Sequence, residues 1–458
     1  MSYLTELFSE INSVLWGVFV LIPLLCGTGI FYTIRLRFVQ VRKFGLAAKF
    51  LFSGASLFGK KADHSGMSSF QALATAIAAQ VGTGNVAGTA TAIVSGGPGA
   101  LFWLWVAAFF GMATIFAEAV LAQIYRTTDK QGHIVGGPAY YITQGLGKKF
   151  KPLAVFFSIA IIIALGCIGN MVQSNSISIA MNHAFDMPIL LTGILTALVS
   201  GFVFFGGIGR LASVAEKIVP FMAFTYLLGG CIVIGMHIDQ LIPAFKLIIE
   251  AAFNPQAATG GALGFTVAKA VQFGVARGLF SNEAGMGSTP HAHAVAKVEH
   301  PAEQGLVAIF GVFATVLVVT FTGIVIMVTG VLDYKTTGIE LTQLAYNEGL
   351  GQFGIGFVAI CLFFFAYSTI IGWFFFGEQN VRFLFGKKGL TPYRLCVCIC
   401  IVIGATLKVD LIWSLADFFN GLMVIPNLIA LLALNKVVVS CLDDFETKLR
   451  QYENSTKI

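Results

Sequence analysis

The chain has 458 residues, 57% of them hydrophobic and only 11% charged, with a mean hydropathy of +0.84. Soluble domains carry about 25% charged residues, so a soluble core is excluded and the class is an all-α polytopic membrane protein. A membrane β-barrel would show short alternating segments instead of these continuous apolar runs. The net charge of +6 comes from basic residues gathered in loops, which points to membrane topology and not to nucleic acid.

Eleven apolar runs read as spans. The first covers 12–34, long enough to cross a bilayer. No small-residue cleavage site ends it, so a retained helix is expected and not a signal peptide. Arg35, Arg37, Arg42, Lys43, Lys49, Lys60 and Lys61 follow and mark a cytoplasmic side. The second and third spans are 68–95 and 99–124. A basic loop with Arg126, Lys130, Lys148, Lys149 and Lys151 comes next, and residues 136–141 within it suggest a short interfacial helix. The fourth to sixth spans are 152–181, 188–208 and 216–236. An amphipathic outer segment at 239–258 leads into the seventh, 261–286. The eighth is 303–330, and a polar connection at 333–348 follows it. The ninth, tenth and eleventh are 351–376, 393–407 and 411–435, with a polar tail beyond. Alternating sides puts the N-terminus outside and the C-terminus in the cytoplasm. Nearly all loop Lys and Arg then fall inside, with Lys246, Lys335 and Lys408 as exceptions.

The cysteines fall mostly within apolar runs. Cys396, Cys398 and Cys400 alternate, and alternate residues of a helix face different directions, so apolar packing is expected for them. His291, His293 and His300 read as a solvated inner loop. No nucleophile, base and orienting group come together in the sequence, so catalysis and resident cofactors have no support.

Two spans contradict their own apolarity. The second holds Gln80, Gly82, Thr83, Gly84, Asn85 and Gly88 at its centre. The seventh holds Gly274, Arg277, Gly278, Ser281, Asn282, Glu283, Gly285 and Gly287. Glycine costs about 1 kcal/mol in a helix relative to alanine. Irregular backbone at membrane depth is tolerated only where it is buried or lines a cavity. A single glycine-rich span would suggest close helix packing. Two at matched positions of oppositely directed halves suggest broken helices in an inverted-repeat transporter. The repeats would be 68–238 and 239–436, with 1–67 an additional first helix and basic segment and 437–458 a cytoplasmic tail. The Gly82-x-Gly84-x-x-x-Gly88 spacing lacks the strand and the spacing of a dinucleotide fingerprint.

These motifs also carry a resemblance. Val81-Gly82-Thr83-Gly84-Asn85-Val86-Ala87-Gly88, Gly96-Gly97-Pro98-Gly99-Ala100-Leu101-Phe102-Trp103 and Gly111-Met112-Ala113-Thr114 resemble the alanine or glycine:cation symporter family. So do Gly169-Asn170-Met171-Val172-Gln173, Ser281-Asn282-Glu283-Ala284-Gly285-Met286-Gly287-Ser288 and Phe365-Ala366-Tyr367-Ser368-Thr369-Ile370-Ile371-Gly372-Trp373. The likeness covers almost the whole chain. It implies a leucine-transporter-like fold of five plus five inverted helices and Na⁺-coupled uptake of alanine or glycine at the cell membrane.

A zwitterionic amino acid needs donors for its carboxylate and acceptors for its ammonium. The N–H groups of Thr83 and Gly84 at a half-helix start would hold the carboxylate. Free carbonyls around residues 273–276, including Phe273 and Gly274, would accept from the ammonium. Gln173 would add a hydrogen bond, and Phe273 and Trp373 would cap a small side-chain pocket. Ser368 and Thr369 with the carbonyls of Ala78 and Val81 offer neutral oxygens suited to Na⁺. Gln80, Asn85 and Asn282 are candidates for a second ion or for support. Arg277 and Glu283 would form a cytoplasmic gate or a helix-fixing pair, and Glu118 and Arg126, toward the inner surface, are expected to be in structural pairing. The competing readings are a proton-coupled carrier of the same fold and, in another class, an ion channel, for which no charged pore ring is visible.

Overall fold

The protein is described by a computed structural model covering residues 2–17, 20–52, 67–129, 132–254 and 266–455. Lys60, Lys61, Lys130 and residues 255–265, which the sequence assigns to loops and to the approach to the seventh span, lie outside the described residues. Lipid offers backbone groups no partner but each other, so the apolar runs fold as helices. Among the described residues, six helical stretches are long and apolar enough to cross a membrane. They are Gly99–Ile124, Lys148–Phe185, Gly209–Met236, Pro301–Thr329, Gln352–Thr406 and Val409–Ala433. Leu21–Arg35 and Ile189–Phe204 are shorter apolar helices.

The first expected span is not one helix. Helix α1 (Ser2–Leu15) stops and α2 (Leu21–Arg35) begins after a gap. Side chains at the junction make α1 a separate piece. Trp16 donates its indole N–H to the Asp417 carbonyl (3.0 Å), and Asn12 donates to the Ser414 carbonyl (2.8 Å). These bonds hold α1 against a distant helix instead of letting it continue into α2.

Short helices α3 (Val39–Arg42) and α4 (Phe44–Phe52) lead toward the first interrupted helix. Its halves are α5 (Ser69–Gln80) and α6 (Thr89–Gly96), with a π turn at Gly84–Gly88 between them. Helix α7 (Gly99–Ile124) follows, then a hairpin of β1 (Thr127–Thr128) and β2 (Ile134–Val135). The short helix expected near 136–141 is α8 (Pro138–Gly145), started by proline in its first turn. The next crossing is compound: α9 (Lys151–Ile161), a π segment (Ile162–Gly169) and α10 (Asn170–Phe185). Then come α11 (Ile189–Phe204), α12 (Gly207–Met236), which starts nine residues before the expected 216, and the amphipathic α13 (Leu241–Phe253).

The second interrupted helix is α14 (Val267–Asn282) followed by α15 (Pro290–Ala294). The chain continues with α16 (Pro301–Thr329), α17 (Gly338–Leu350), α18 (Gln352–Phe385), α19 (Leu390–Thr406) and α20 (Val409–Ala433). Helix α17 occupies the connection read from sequence as merely polar. The tail is also helical, α21 (Asn435–Ser455). Val438, Leu442 and Phe445 bury one face of α21. Asp443 pairs with Arg37, and Glu446 meets Arg42 at 2.9 Å, so the acidic tail helix is tied to the basic segment that follows α2.

Helix α7 is the post around which the rest packs. Small residues let neighbours approach it, as expected where lipid tails provide no hydrophobic drive for helix association. A Cβ on Gly274 would lie 2.5 Å from the Ala100 carbonyl oxygen, and one on Gly323 would lie 2.4 Å from Leu101. These contacts set α14 and α16 against α7 and thereby fix where the second interruption falls.

Candidate functional site

The first interruption begins with a well-started helix. Ser68 accepts the Gln71 N–H at 3.0 Å, and the Gln71 side chain accepts the Ser68 N–H at 3.2 Å, closing a capping box. The helix ends at Gln80, where Val81 turns out of helical geometry (φ −102°, ψ 87°). Two glycines permit the crossing that follows. A Cβ on Gly82 would sit 2.3 Å from Thr369 Oγ1, and one on Gly84 would sit 2.7 Å from the Phe280 ring. Neither position tolerates a side chain without displacing a neighbour.

The loosened backbone is caught by side chains. Asn85 accepts the Gly82 N–H (3.0 Å) and donates to Ser281 (2.7 Å). Gln80 donates to the Asn282 carbonyl at 2.6 Å, and Asn282 accepts the Ala284 N–H at 3.0 Å. Gln80, Asn85 and Asn282 thus bind one interruption to the other. The Gln173 side-chain oxygen, Oε1, accepts the Thr83 N–H at 3.0 Å. Three buried polar atoms here have no protein partner: Gln80 Oε1, Thr83 Oγ1 and Gln173 Nε2. A buried polar group left unpaired costs about 1–3 kcal/mol, so the break is chemically suited to a polar ligand.

Helix α18 supplies the oxygens facing the end of α5. Thr369 donates to the Ala78 carbonyl (2.9 Å) and stands 3.3 Å from the Ala79 carbonyl. Ser368 lies 3.3 Å from the same Ala78 oxygen, and both hydroxyls contact the Phe365 carbonyl, at 2.9 and 3.1 Å. The expected Ser368, Thr369 and Ala78 therefore meet. Val81, which caps the end of α5, is buried, and its carbonyl takes no bond from either hydroxyl. Phe365 joins the group without having been singled out in the sequence. Its position three and four residues before the hydroxyls is the signal that was available.

The second interruption differs from its expected place. Helix α14 runs unbroken through Phe273 and Gly274, so the carbonyls of residues 273–276 are spent within the helix. Phe273 lines an open vestibule, and Gly274 is a packing contact with α7. The break lies at residues 283–289, about three turns later, beginning with Glu283 in the left-handed region (φ 57°). Glu283 is fully buried and accepts the Trp373 indole N–H (2.6 Å) and the Ser288 hydroxyl. Glu118 accepts the N–H groups of Gly285 (3.0 Å) and Gly287 (2.9 Å) and the Asn427 amide (2.7 Å). A carboxylate from α7 thus satisfies the free donors of the unwound segment. Its partner is not Arg126, whose guanidinium instead binds the Ala296 carbonyl at 2.6 Å.

Arg277 does not meet Glu283 either. It grips Asp417 with two bonds of 2.7 and 2.8 Å and stacks over Trp413 at 4.7 Å. This pair lies at the vestibule, a cavity of about 710 Å³ also lined by α1, Asn175, Lys269 and Gln272. Beneath it Phe280 stands between Trp413 (4.9 Å) and Trp373 (5.5 Å) and covers Gly84. Phe280 was missed in the sequence; it lies three residues after Arg277, on the same helix face.

His291 and His293 are not solvated. Both are 1% exposed, because α15 is wedged against the glycines at the start of α8. His291 pairs with the Ser288 carbonyl (2.7 Å) and Asn380 (2.8 Å), and His293 with Gln304 (2.8 Å).

The whole chain, residues 1–458, matches the sodium:alanine symporter family model. The chain belongs to the sodium:alanine symporter family. It is a multi-pass membrane transporter and not an enzyme. Among similar curated proteins is the sodium/alanine symporter AgcS of Methanococcus maripaludis, 45% identical over 95% of this chain and 96% of that one. The probable sodium/glutamine symporter GlnT of Bacillus subtilis is 43% identical over 95% and 89%. The putative sodium/proton-dependent alanine carrier protein YrbD of the same organism is 40% identical over 98% and 94%. A solved manganese transporter of Eremococcus coleocola superposes with a TM-score of 0.52 at 14% identity, covering 82% of this chain and 78% of that one. At that identity it speaks for the fold alone.

Proposed function

We propose that the chain couples inward Na⁺ movement to uptake of a small neutral amino acid, alanine or glycine, by alternating access. The observation that carries this reading is the convergence of Ser368 and Thr369 on the Ala78 carbonyl at the end of an interrupted helix. With the Phe365 carbonyl they form a set of neutral oxygens from two helices, to which the Val81 carbonyl would be added on ion binding, the donor chemistry a hard cation such as Na⁺ prefers. Na⁺ would displace the hydroxyl protons from the Ala78 carbonyl and take that oxygen as a ligand.

Substrate would bind beside the ion. Its carboxylate takes over the Thr83 N–H from Gln173 and adds the Gly84 N–H and the unpaired Gln173 Nε2. Its ammonium faces the carbonyl end of α14, at residues 280–282, where the last turn has carbonyls without helical partners. Trp373 and Phe280 limit the side chain to a small one. Gln80, Asn85 and Asn282 support the two breaks.

The architecture suits this role. In this reading five-helix repeats at 68–238 and 239–436 would run the two interruptions in opposite directions, and residues 1–67 would add the first of eleven crossings. The vestibule is the outer side, with the N-terminus, and α21 is cytoplasmic. The Arg277–Asp417 pair closes the outer path above Phe280.

A proton-coupled reading has its own support in Glu118 and Glu283, two buried carboxylates at one break, and in the YrbD likeness. Purified protein in proteoliposomes separates the two. An inward Na⁺ gradient at equal pH is expected to drive concentrative alanine uptake. Uptake that ignores Na⁺ and follows a pH gradient would overturn the sodium assignment.

A further inference from the structure

Away from both interruptions, three thiols come together. The sulfur atoms of Cys167, Cys396 and Cys400 all lie within 4.8 Å of one another. Cys396 and Cys400 are four residues apart on α19 and so share a face. Cys398 points elsewhere, toward Gly201, at 3.5 Å from a Cβ built there. Cys167 comes from the π segment Ile162–Gly169 of the neighbouring crossing. Its flanking glycines bring that segment close: Gly166 abuts the Tyr393 ring of α19, and Gly169 abuts the Trp373 ring. All three cysteines are free, and Cys396 is exposed at the helix surface.

The spacing matches a three-thiolate centre. Thiolate bonds of about 2.3 Å put three sulfurs roughly 3.8–4.0 Å apart around a planar or tetrahedral ion, and roughly 3.4–3.5 Å apart around a pyramidal centre that carries a lone pair. Side-chain rotation of well under 1.5 Å closes the observed triangle to that size. Thiolates select soft centres, and the surroundings select by charge. A divalent ion held by three thiolates leaves a net negative charge in an apolar setting, which is costly. A trivalent centre leaves none.

We propose that Cys167, Cys396 and Cys400 form a binding site for a thiophilic trivalent centre, best matched by arsenic(III). The step is a condensation without redox change. Three S–H bonds and three As–OH bonds break, three As–S bonds form, and As(OH)₃ releases three waters. Uncharged As(OH)₃ reaches the exposed Cys396 and then engages the other two thiols. The product staples the π segment to α19. Because Gly169 of that segment rests against Trp373, and Gln173 follows one turn later, the staple restrains the helix that carries the substrate contacts.

The test uses purified full-length protein, arsenite alone as probe, and desalting before metal analysis. Wild type and C398S are expected to retain about one arsenic per chain and to lose it to excess dithiol. C167S, C396S and C400S are each expected to fall to background, with melting temperatures reporting that they fold. Arsenite is expected to inhibit alanine uptake in wild-type liposomes and to spare C167S. Failure of wild type to retain arsenic would overturn the site, as would equal retention by C167S. Retention with unchanged uptake would overturn the staple. The binding readout does not depend on which ion drives transport, so it stands or falls separately from the symport reading.

Discussion

Trp373 and Glu283 are joined by a 2.6 Å hydrogen bond from indole to carboxylate. The bond links the first residue of the second interruption to the helix that carries Ser368 and Thr369. Whatever straightens or shifts residues 283–289 therefore pulls on α18, one turn from the oxygens proposed to hold the cation. This gives the two breaks a shared mechanical partner in addition to the amide ties of Gln80 and Asn85.

Ser368→Ala removes one oxygen from the proposed cation set while leaving helix geometry intact. A hydroxyl hydrogen bond or ligand contact of this kind contributes about 1–1.5 kcal/mol. The half-saturating Na⁺ concentration for alanine uptake is expected to rise about five- to tenfold. An unchanged Na⁺ requirement removes Ser368 from the site.

Gln173→Leu strips the acceptor from the Thr83 N–H and the spare donor beside it. Thermal stabilisation by alanine in the presence of Na⁺ is expected to disappear or to need at least about tenfold more alanine. Thr83→Val keeps the backbone N–H and is expected to have the smaller effect. If Gln173→Leu retains wild-type stabilisation, the carboxylate is held elsewhere.

Asp417→Asn leaves Arg277 5% exposed and without its anion. Removing one partner of a fully buried pair costs about 3–5 kcal/mol; here about 2–3 is expected, since the Asp417 side chain keeps 17% exposure. The strain favours opening of the vestibule floor. An impermeant maleimide is expected to label Ser281→Cys about tenfold faster in the D417N background, a shift of roughly 1.4 kcal/mol in the open population. Equal labelling rates mean that the pair does not close the path.

Glu118→Gln keeps the shape of the side chain but replaces one acceptor oxygen by a donor that faces a backbone N–H. The clash and the lost bond are expected to cost about 2–3 kcal/mol and to lower the melting temperature. Hydrogen exchange at Gly285 and Gly287 should accelerate first. Acceleration spread evenly over the chain would place Glu118 in general packing instead.

Much of this was legible in residue order, for identifiable reasons. Glycines and amides at 80–88 conflict with an apolar run, and that conflict is local, so it locates the first break to within a residue or two. Ser368 and Thr369 stand out because hydroxyls are rare in the middle of so apolar a helix. The second break was misplaced because Gly274 and Gly278 look like the glycines of a break, yet their lack of a side chain serves close packing on α7. Only the partner helix decides between these uses. The anion of Arg277 is hidden from the sequence for a related reason. Glu283 is six residues away in sequence, but Asp417 is brought in from the far end of the chain. Helix α21 reads as a polar tail because its average hydropathy is low, and its apolar face emerges only at helical spacing.

The cation oxygens proposed at Ala78 and Val81 belong to the peptide chain itself, which separates chemical role from residue identity. Replacing either side chain leaves its carbonyl in place, so a saturation scan would record mild effects at the very residues in contact with the ion. Severe effects would fall on Gly82 and Gly84, which touch no ion but allow the chain to turn. In such a protein the map of mutational sensitivity and the map of ligand contact are displaced from one another by a few residues, and a site inferred from the first alone would be drawn in the wrong place.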